Sequence, residues 1–278
     1  MQRISGLRFC GSHIGLFMSA YLLCGAAISE ELLIAVASNF SGPMAELVKR
    51  FEAQTGHDIQ VAYGSSGRLF AQIRSGAPFQ VFLSADQDKP ARLVDLGLAD
   101  PASRFTYANG ELVLWSADSS REVGDSNALL SPDVQWIALA NPRLAPYGTA
   151  AAEVLDKLNL SSHLSGKIVQ GENIAQTLQF VESGNAQLGF VARSQVFSLT
   201  ETRAGANWVV PDHLYRPIRQ DAVLLNRAIG CQVCSAFLSF LREDAQRSLI
   251  SASGYRLCLL YTSPSPRDLS TSRMPSSA

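Results

Sequence analysis

The sequence predicts an α/β protein of two domains, each a mostly parallel sheet flanked by helices. Three observations predict it. Short apolar runs of strand length alternate with runs of helical spacing along most of the chain. Small, hydroxyl-rich turns follow several of the apolar runs, where helices begin. No long Pro/Gly linker interrupts the pattern, so a second α/β unit in the middle of the chain is joined to the first by short crossovers, expected near Asn109 and Gln220. With 278 residues, 47% of them hydrophobic, the chain can build one large core or two medium ones.

Taken in order, residues 31–37 (ELLIAVA) read as a buried strand. Residues 43–54 follow as a helix, with Pro43 near its first turn and Met44, Leu47, Val48 and Phe51 on one face. Strands at 59–63 and 81–83 alternate with helices at 69–75 and 90–96. The second unit reads as strands at 112–115, 136–138, 167–169 and 188–191, with helices at 149–158 and 175–183. A strand at 222–225 returns the chain, and a long helix runs from Cys234 towards Leu249. The domain reading is 30–109 plus 220–257 for domain I and 110–219 for domain II.

Both ends read as separate from the fold. Arg3 and Arg8 precede an apolar stretch, residues 14–23, too short to span a membrane as a mature helix. Ala27, Ile28 and Ser29 place small residues before Glu30, so residues 1–29 read as a secretory signal peptide and the mature protein as exported. Residues 258–278, from Cys258-Leu259-Leu260-Tyr261-Thr262 onward, read in frame as a common sequencing-library adapter and are expected to form an unstructured tail. Cys231 and Cys234 then remain, and export permits a disulfide between them; a surface pair and a local bridge are both open. The formal net charge of −1 gives no basic field for nucleic acid.

Four turns at strand ends carry possible anion donors: Ala37-Ser38-Asn39-Phe40-Ser41, Gly64-Ser65-Ser66-Gly67, Pro146-Tyr147-Gly148-Thr149 and Glu172-Asn173-Ile174-Ala175. Two fall in each domain, so a cleft between the domains would gather all four. Each alone could be an ordinary helix cap; the set is what points to a ligand. Ser66 could instead be a nucleophile in an exported hydrolase. His57, His163 and His213 sit in no triad motif, and the Gly-x-Ser-x-Gly elbow is absent. Asp86 and Asp88 suggest a strand-end cap and interdomain brace before a metal site.

These turns carry a resemblance. AVASNF (35–40), YGSSGRLFAQIRSGAPFQVFLSAD (63–86), NPRLAPYGTAAAEVLDKL (141–158), GENIAQTLQFVESGNAQLGFVARSQV (171–196) and PIRQDAVLL (217–225) resemble the periplasmic molybdate-binding proteins of bacterial molybdate ABC transporters. The likeness spans residues 30 to 257. It implies a type II periplasmic binding protein, or venus-flytrap, fold that closes on a tetrahedral oxyanion, molybdate or tungstate, with no cofactor and no chemistry on the ligand. It also implies a monomer working with a membrane ABC permease in the periplasm. The family's binding positions fall on Ser38, Asn39, Ser66, Tyr147 and Ile174. Another branch places a tyrosine where this chain has Ala192, so Tyr147 is expected to supply that hydroxyl. A sulfate- or phosphate-binding protein of the same fold is the nearer alternative. An exported serine hydrolase using Ser66 and a regulator's effector domain are more distant ones.

Overall fold

The computed structural model describes residues 31–199 and 205–256. The leader (1–29) and the tail (258–278) expected above lie outside the described residues.

The first strand, β1 (Glu31–Ala37), is buried along most of its length, as a strand covered on both faces must be. A 3-10 turn, Ser38–Phe40, leads into α1 (Ser41–Thr55), whose Met44, Leu47 and Phe51 form a buried stripe. The helix stops at Gly56, whose left-handed φ of 71° lets its N–H return to the Glu52 carbonyl. Then come β2 (Asp58–Gly64), α2 (Ser66–Arg74), β3 (Val81–Leu83), α3 (Asp88–Asp95) and β4 (Phe105–Gly110).

A single residue, Glu111, separates β4 from β5 (Leu112–Ser116), the first strand of the other sheet. That half continues through β6 (Ile137–Ala140), α4 (Pro146–Lys157), α5 (Ser161–Leu164), β7 (Ile168–Gly171), α6 (Ile174–Glu182), β8 (Leu188–Ala192), α7 (Arg193–Phe197) and β9 (Ala206–Val209). The chain re-enters the first sheet with β10 (Ile218–Leu224) and finishes in α8 (Gln232–Phe240) and α9 (Asp244–Ala252).

The first sheet has the order β2-β1-β3-β10-β4 and the second β7-β6-β8-β5-β9. In the first, β1 pairs in parallel with β2 and β3, while β10 is antiparallel to β3 and β4. In the second, β6 is parallel to β7 and β8, while β5 is antiparallel to β8 and β9. One strand in each sheet, β10 or β5, therefore runs against its neighbours. Writing β6 for β1, β7 for β2, β8 for β3, β5 for β10 and β9 for β4 converts one order into the other. The two lobes are topological copies, although the sequence carries no visible repeat.

Each sheet is covered on both faces. In the first lobe, α1, α8 and α9 pack on one face and α2 and α3 on the other. In the second lobe, α4 and α5 take one face and α6 and α7 the other. Three differences from the sequence reading have local causes. The strands β4 and β9 were not expected; both are edge strands with one neighbour each, and β4 ends in Asn109-Gly110, which reads as a turn. The long C-terminal helix is broken, because Glu243 is extended (ψ 144°) and Asp244 starts a new helix with a carboxylate in its first turn. Finally, α4 begins at Pro146, whose ring suits a first helical position, ahead of the expected start at residue 149. Cys231 and Cys234 are joined by a disulfide at the start of α8. Among the described residues no helix is long and apolar enough to cross a membrane.

Candidate functional site

The four strand-end turns converge. β1 and β2 run side by side, with Ala37 opposite Gly64, so the 3-10 turn and α2 start next to each other. In the second lobe β6 and β7 do the same, with Ala140 opposite Gly171, and α4 and α6 follow. Ser38, Asn39, Ser66, Tyr147 and Ile174 all line one cavity, together with Ala37, Gly64, Ser65, Ala85, Ala145 and Pro146. Its free volume is only about 10 Å³, room for about one water-sized sphere, far below the roughly 300–1,000 Å³ of sites for drug-sized organic molecules. A wider groove of about 450 Å³ along the flank of α4 is open and lined by side chains of mixed charge, including Asp88, Lys89, Glu153 and Arg219. The starts of α2 and α6 do not line it.

The donors of the small cavity come from helix starts, where the first N–H groups have no intrahelical acceptor. Ser65 caps α2 by accepting from the Arg68 N–H, which leaves the Ser66 N–H at the first helical position. Asn173 caps α6 by accepting from the N–H groups of Ala175 and Gln176, which leaves that of Ile174. Tyr147 follows Pro146 in the first turn of α4. The Ser66 hydroxyl, fully buried, accepts from the Ala85 N–H at 2.9 Å and keeps its own hydrogen for the cavity. The Ser38 hydroxyl donates across the cleft to Asn173 Oδ1 at 3.3 Å.

Two expected residues are placed differently in detail. Both N–H bonds of the Asn39 carboxamide go to the protein, to Gln220 Oε1 and to the Tyr255 hydroxyl, each at 2.9 Å. Asn39 therefore lines the cavity with its side-chain donors already engaged. The Tyr147 hydroxyl accepts from Gln220 Nε2 at 3.2 Å over Gly110, where a Cβ would lie 2.0 Å from the phenol oxygen. Burial pushes the Tyr107, Tyr147 and Tyr255 phenols up from their ordinary range, so all three stay protonated donors.

Among the described residues no lysine or arginine lines this cavity. Arg68 points outward and pairs with Glu172 of the other lobe at 2.6 Å. Beside that pair the Gly67 N–H donates to the Leu144 carbonyl at 2.8 Å, a direct backbone bond between lobes. Ser66 has no base beside it: His163 and His213 are exposed, and His57 precedes β2 at the end opposite Gly64. Asp86 holds the start of α3 through the Lys89 N–H and pairs with the Lys89 ammonium; among the described residues its side-chain bonds, to Ser84 and Lys89, stay within its own lobe. No group of three or more metal-ligating side chains exists among the described residues.

The sequence reading missed Gln220, Tyr107, Ser194 and Tyr255, which form the buried polar floor behind Asn39 and Tyr147. One signal was present: β10 carries three consecutive polar residues, Arg219-Gln220-Asp221, of which Gln220 and Asp221 are buried.

A two-lobed fold with a small, uncharged, donor-rich cavity between its lobes is the form of a solute receptor, and residues 32–256 match the family model described as bacterial extracellular solute-binding protein. The chain belongs to that family. Within it, the chain is 45% identical over 229 residues to the molybdate-binding protein ModA of Rhodobacter capsulatus, covering 82% of this chain and 89% of the relative. It is 43% identical over 252 residues to ModA of Azotobacter vinelandii, covering 90% of this chain and all of the relative. The solved periplasmic molybdate-binding protein of Azotobacter vinelandii superposes with a TM-score of 0.78 at 38% identity, covering 81% of this chain and 99% of that one.

Proposed function

We propose that this chain is a periplasmic binding protein that captures molybdate, and tungstate, between its lobes and delivers it to a membrane ABC permease. The observation that carries the proposal is the convergence of four strand-to-helix turns, two from each sheet, on one small cavity without cations. Hydrogen bonds to a charged group contribute roughly 1.5–3 kcal/mol each, and a helix start adds about 0.3–1 kcal/mol, up to ~2 when partly buried. Several such donors offset the desolvation of a dianion. The choice of molybdate is supported by the names of the two relatives above 40% identity.

In this reading Ser38, Asn39 and Ser66 form one wall and Tyr147 and Ile174 the other. Domain I (30–109 plus 220–257) and domain II (110–219) close as units, and the anion favours the closed state by touching both. The protein acts as a monomer, is exported by its leader, and performs no reaction on its ligand.

A thermal-shift panel tests this. At about 100 times Kd a ligand adds ~2.7 kcal/mol, or roughly 5–11 °C at ~2–4 °C per kcal/mol. Molybdate and tungstate are expected to give that shift. A shift with sulfate or phosphate and none with molybdate refutes the assignment.

A further inference from the structure

We propose that Gln220 is a positioning residue of the anion site, holding the Tyr147 hydroxyl so that its hydrogen is kept for an oxyanion. This rests on the reading that the cavity binds such an ion. The Asn39 backbone carbonyl can only accept, and the Tyr255 hydroxyl donates to it at 2.7 Å. The single Ser194 hydrogen goes either to the same carbonyl, at 3.1 Å, or to the Tyr255 oxygen, at 3.0 Å, and in both cases the Tyr255 oxygen accepts from Asn39 Nδ2 at 2.9 Å. The second hydrogen on Asn39 Nδ2 goes to Gln220 Oε1 at 2.9 Å, which the Tyr107 hydroxyl also approaches at 3.0 Å. The Tyr107 hydrogen is shared with the Ser84 carbonyl at 3.2 Å, so it is Asn39 Nδ2 that holds the Gln220 oxygen, and the carboxamide then turns its nitrogen towards Tyr147. The Tyr147 oxygen therefore accepts, and its hydrogen has no acceptor among the described hydrogen bonds.

The relay is sealed. Asn39, Tyr107, Tyr147, Ser194, Gln220 and Tyr255 are all buried. Gln220 itself sits where β10 shifts register against β4, at the point where the chain comes back from the second lobe. One carboxamide thus joins Asn39 of the first wall to Tyr147 of the second. An unsatisfied buried hydroxyl hydrogen is costly, so the arrangement is completed by an acceptor arriving in the cavity.

Calorimetric titration of molybdate into the protein tests the role with Gln220→Met, Tyr147→Phe and their double variant. Each single change is expected to weaken binding about 10-fold or more, the value for one bond to a charged group. The double variant is expected to bind no worse than Tyr147→Phe alone, because Gln220 acts through that hydroxyl. Losses that multiply, or wild-type affinity in Gln220→Met, overturn the proposal. If Gln220→Met does not fold, the isosteric Gln220→Glu replaces it. Its carboxylate can only accept, so it takes the tyrosine hydrogen away, and wild-type affinity there is equally fatal. If the wild-type protein itself fails to bind molybdate, the functional reading falls first. Tight wild-type binding with unaffected Gln220 variants removes only the positioning role.

Discussion

Gly67→Ala separates closing from folding. Gly67 lies in the first turn of α2, and its N–H reaches the Leu144 carbonyl of the other lobe at 2.8 Å. A Cβ built there meets both the Leu144 Cα and its carbonyl oxygen at 2.9 Å. Both atoms are backbone, so neither can rotate aside. The lobes must stop short by a few tenths of an ångström or more, at a place where the cavity walls already touch. The bond to Leu144 is then lost, at about 0.5–1.5 kcal/mol. The neighbouring Arg68–Glu172 pair is stretched, adding ~0–1 kcal/mol because both partners are half exposed. The sum, roughly 0.5–2.5 kcal/mol, is about a 2- to 70-fold loss of molybdate affinity. Within its own lobe the substitution is favourable, since Ala exceeds Gly as a helix former by about 1 kcal/mol. The expected result is an unliganded Tm that is unchanged or higher, with weaker binding by calorimetry. Wild-type affinity in Gly67→Ala would refute the idea that this backbone contact limits closure.

Other perturbations read other parts of the site. Ser66→Ala removes a hydroxyl that accepts from the Ala85 N–H and faces the cavity; it is expected to weaken molybdate by roughly 10- to 150-fold and lower the unliganded stability by about 1–3 kcal/mol, measured by calorimetry and urea unfolding. Arg68→Ala should change affinity by no more than ~1 kcal/mol, an effect that shrinks as salt rises; a large, salt-independent loss would make Arg68 a ligand. The buried phenols give a pH prediction. Their folded pKa values are raised above the unfolded value of about 10. Stability is therefore complete below pH ~10 and falls as pH rises beyond it, because only the unfolded chain releases these protons. Urea midpoints at about pH 8 and pH 11 check the sign, and a flat profile would contradict it. Reduction of Cys231–Cys234 should leave affinity unchanged, since the bridge sits at the start of α8 and lines no part of the cavity.

Local chemistry made much of this molecule readable in one dimension. The central strands β1, β3, β6 and β8 are continuous apolar runs because both their faces are covered. The four ligand turns announced themselves through Ser, Asn, Pro and Gly at strand ends, where helix caps need those residues. The edge strands β4 and β9 lack that signal, unlike the edge strands β2 and β7. β4 has a single neighbour and a half-buried pattern, and Ala206–Val209 is four residues long. The break after Phe240 was hidden because Glu243 and Asp244 look like solvent-facing helix residues until the backbone is seen to turn. The polar floor was the least legible part. Asn39, Tyr107, Tyr147, Gln220 and Tyr255 are far apart in sequence, and nothing in any one of them says which of the others it meets.

The symmetry of the two sheets has a consequence for the empty protein. Because the lobes are topological copies meeting face to face, closing brings helix starts of the same kind against each other. Each start carries a partial positive charge of roughly half a unit, and among the described residues no acidic side chain lines the cavity to neutralise it. Like poles repel, so a counter-charge between them relieves a repulsion that the inter-lobe bonds from Gly67 and Arg68 must otherwise oppose. The anion is the mortar as well as the cargo, and a transporter that recognises only the shut form would be spared futile encounters with vacant carriers.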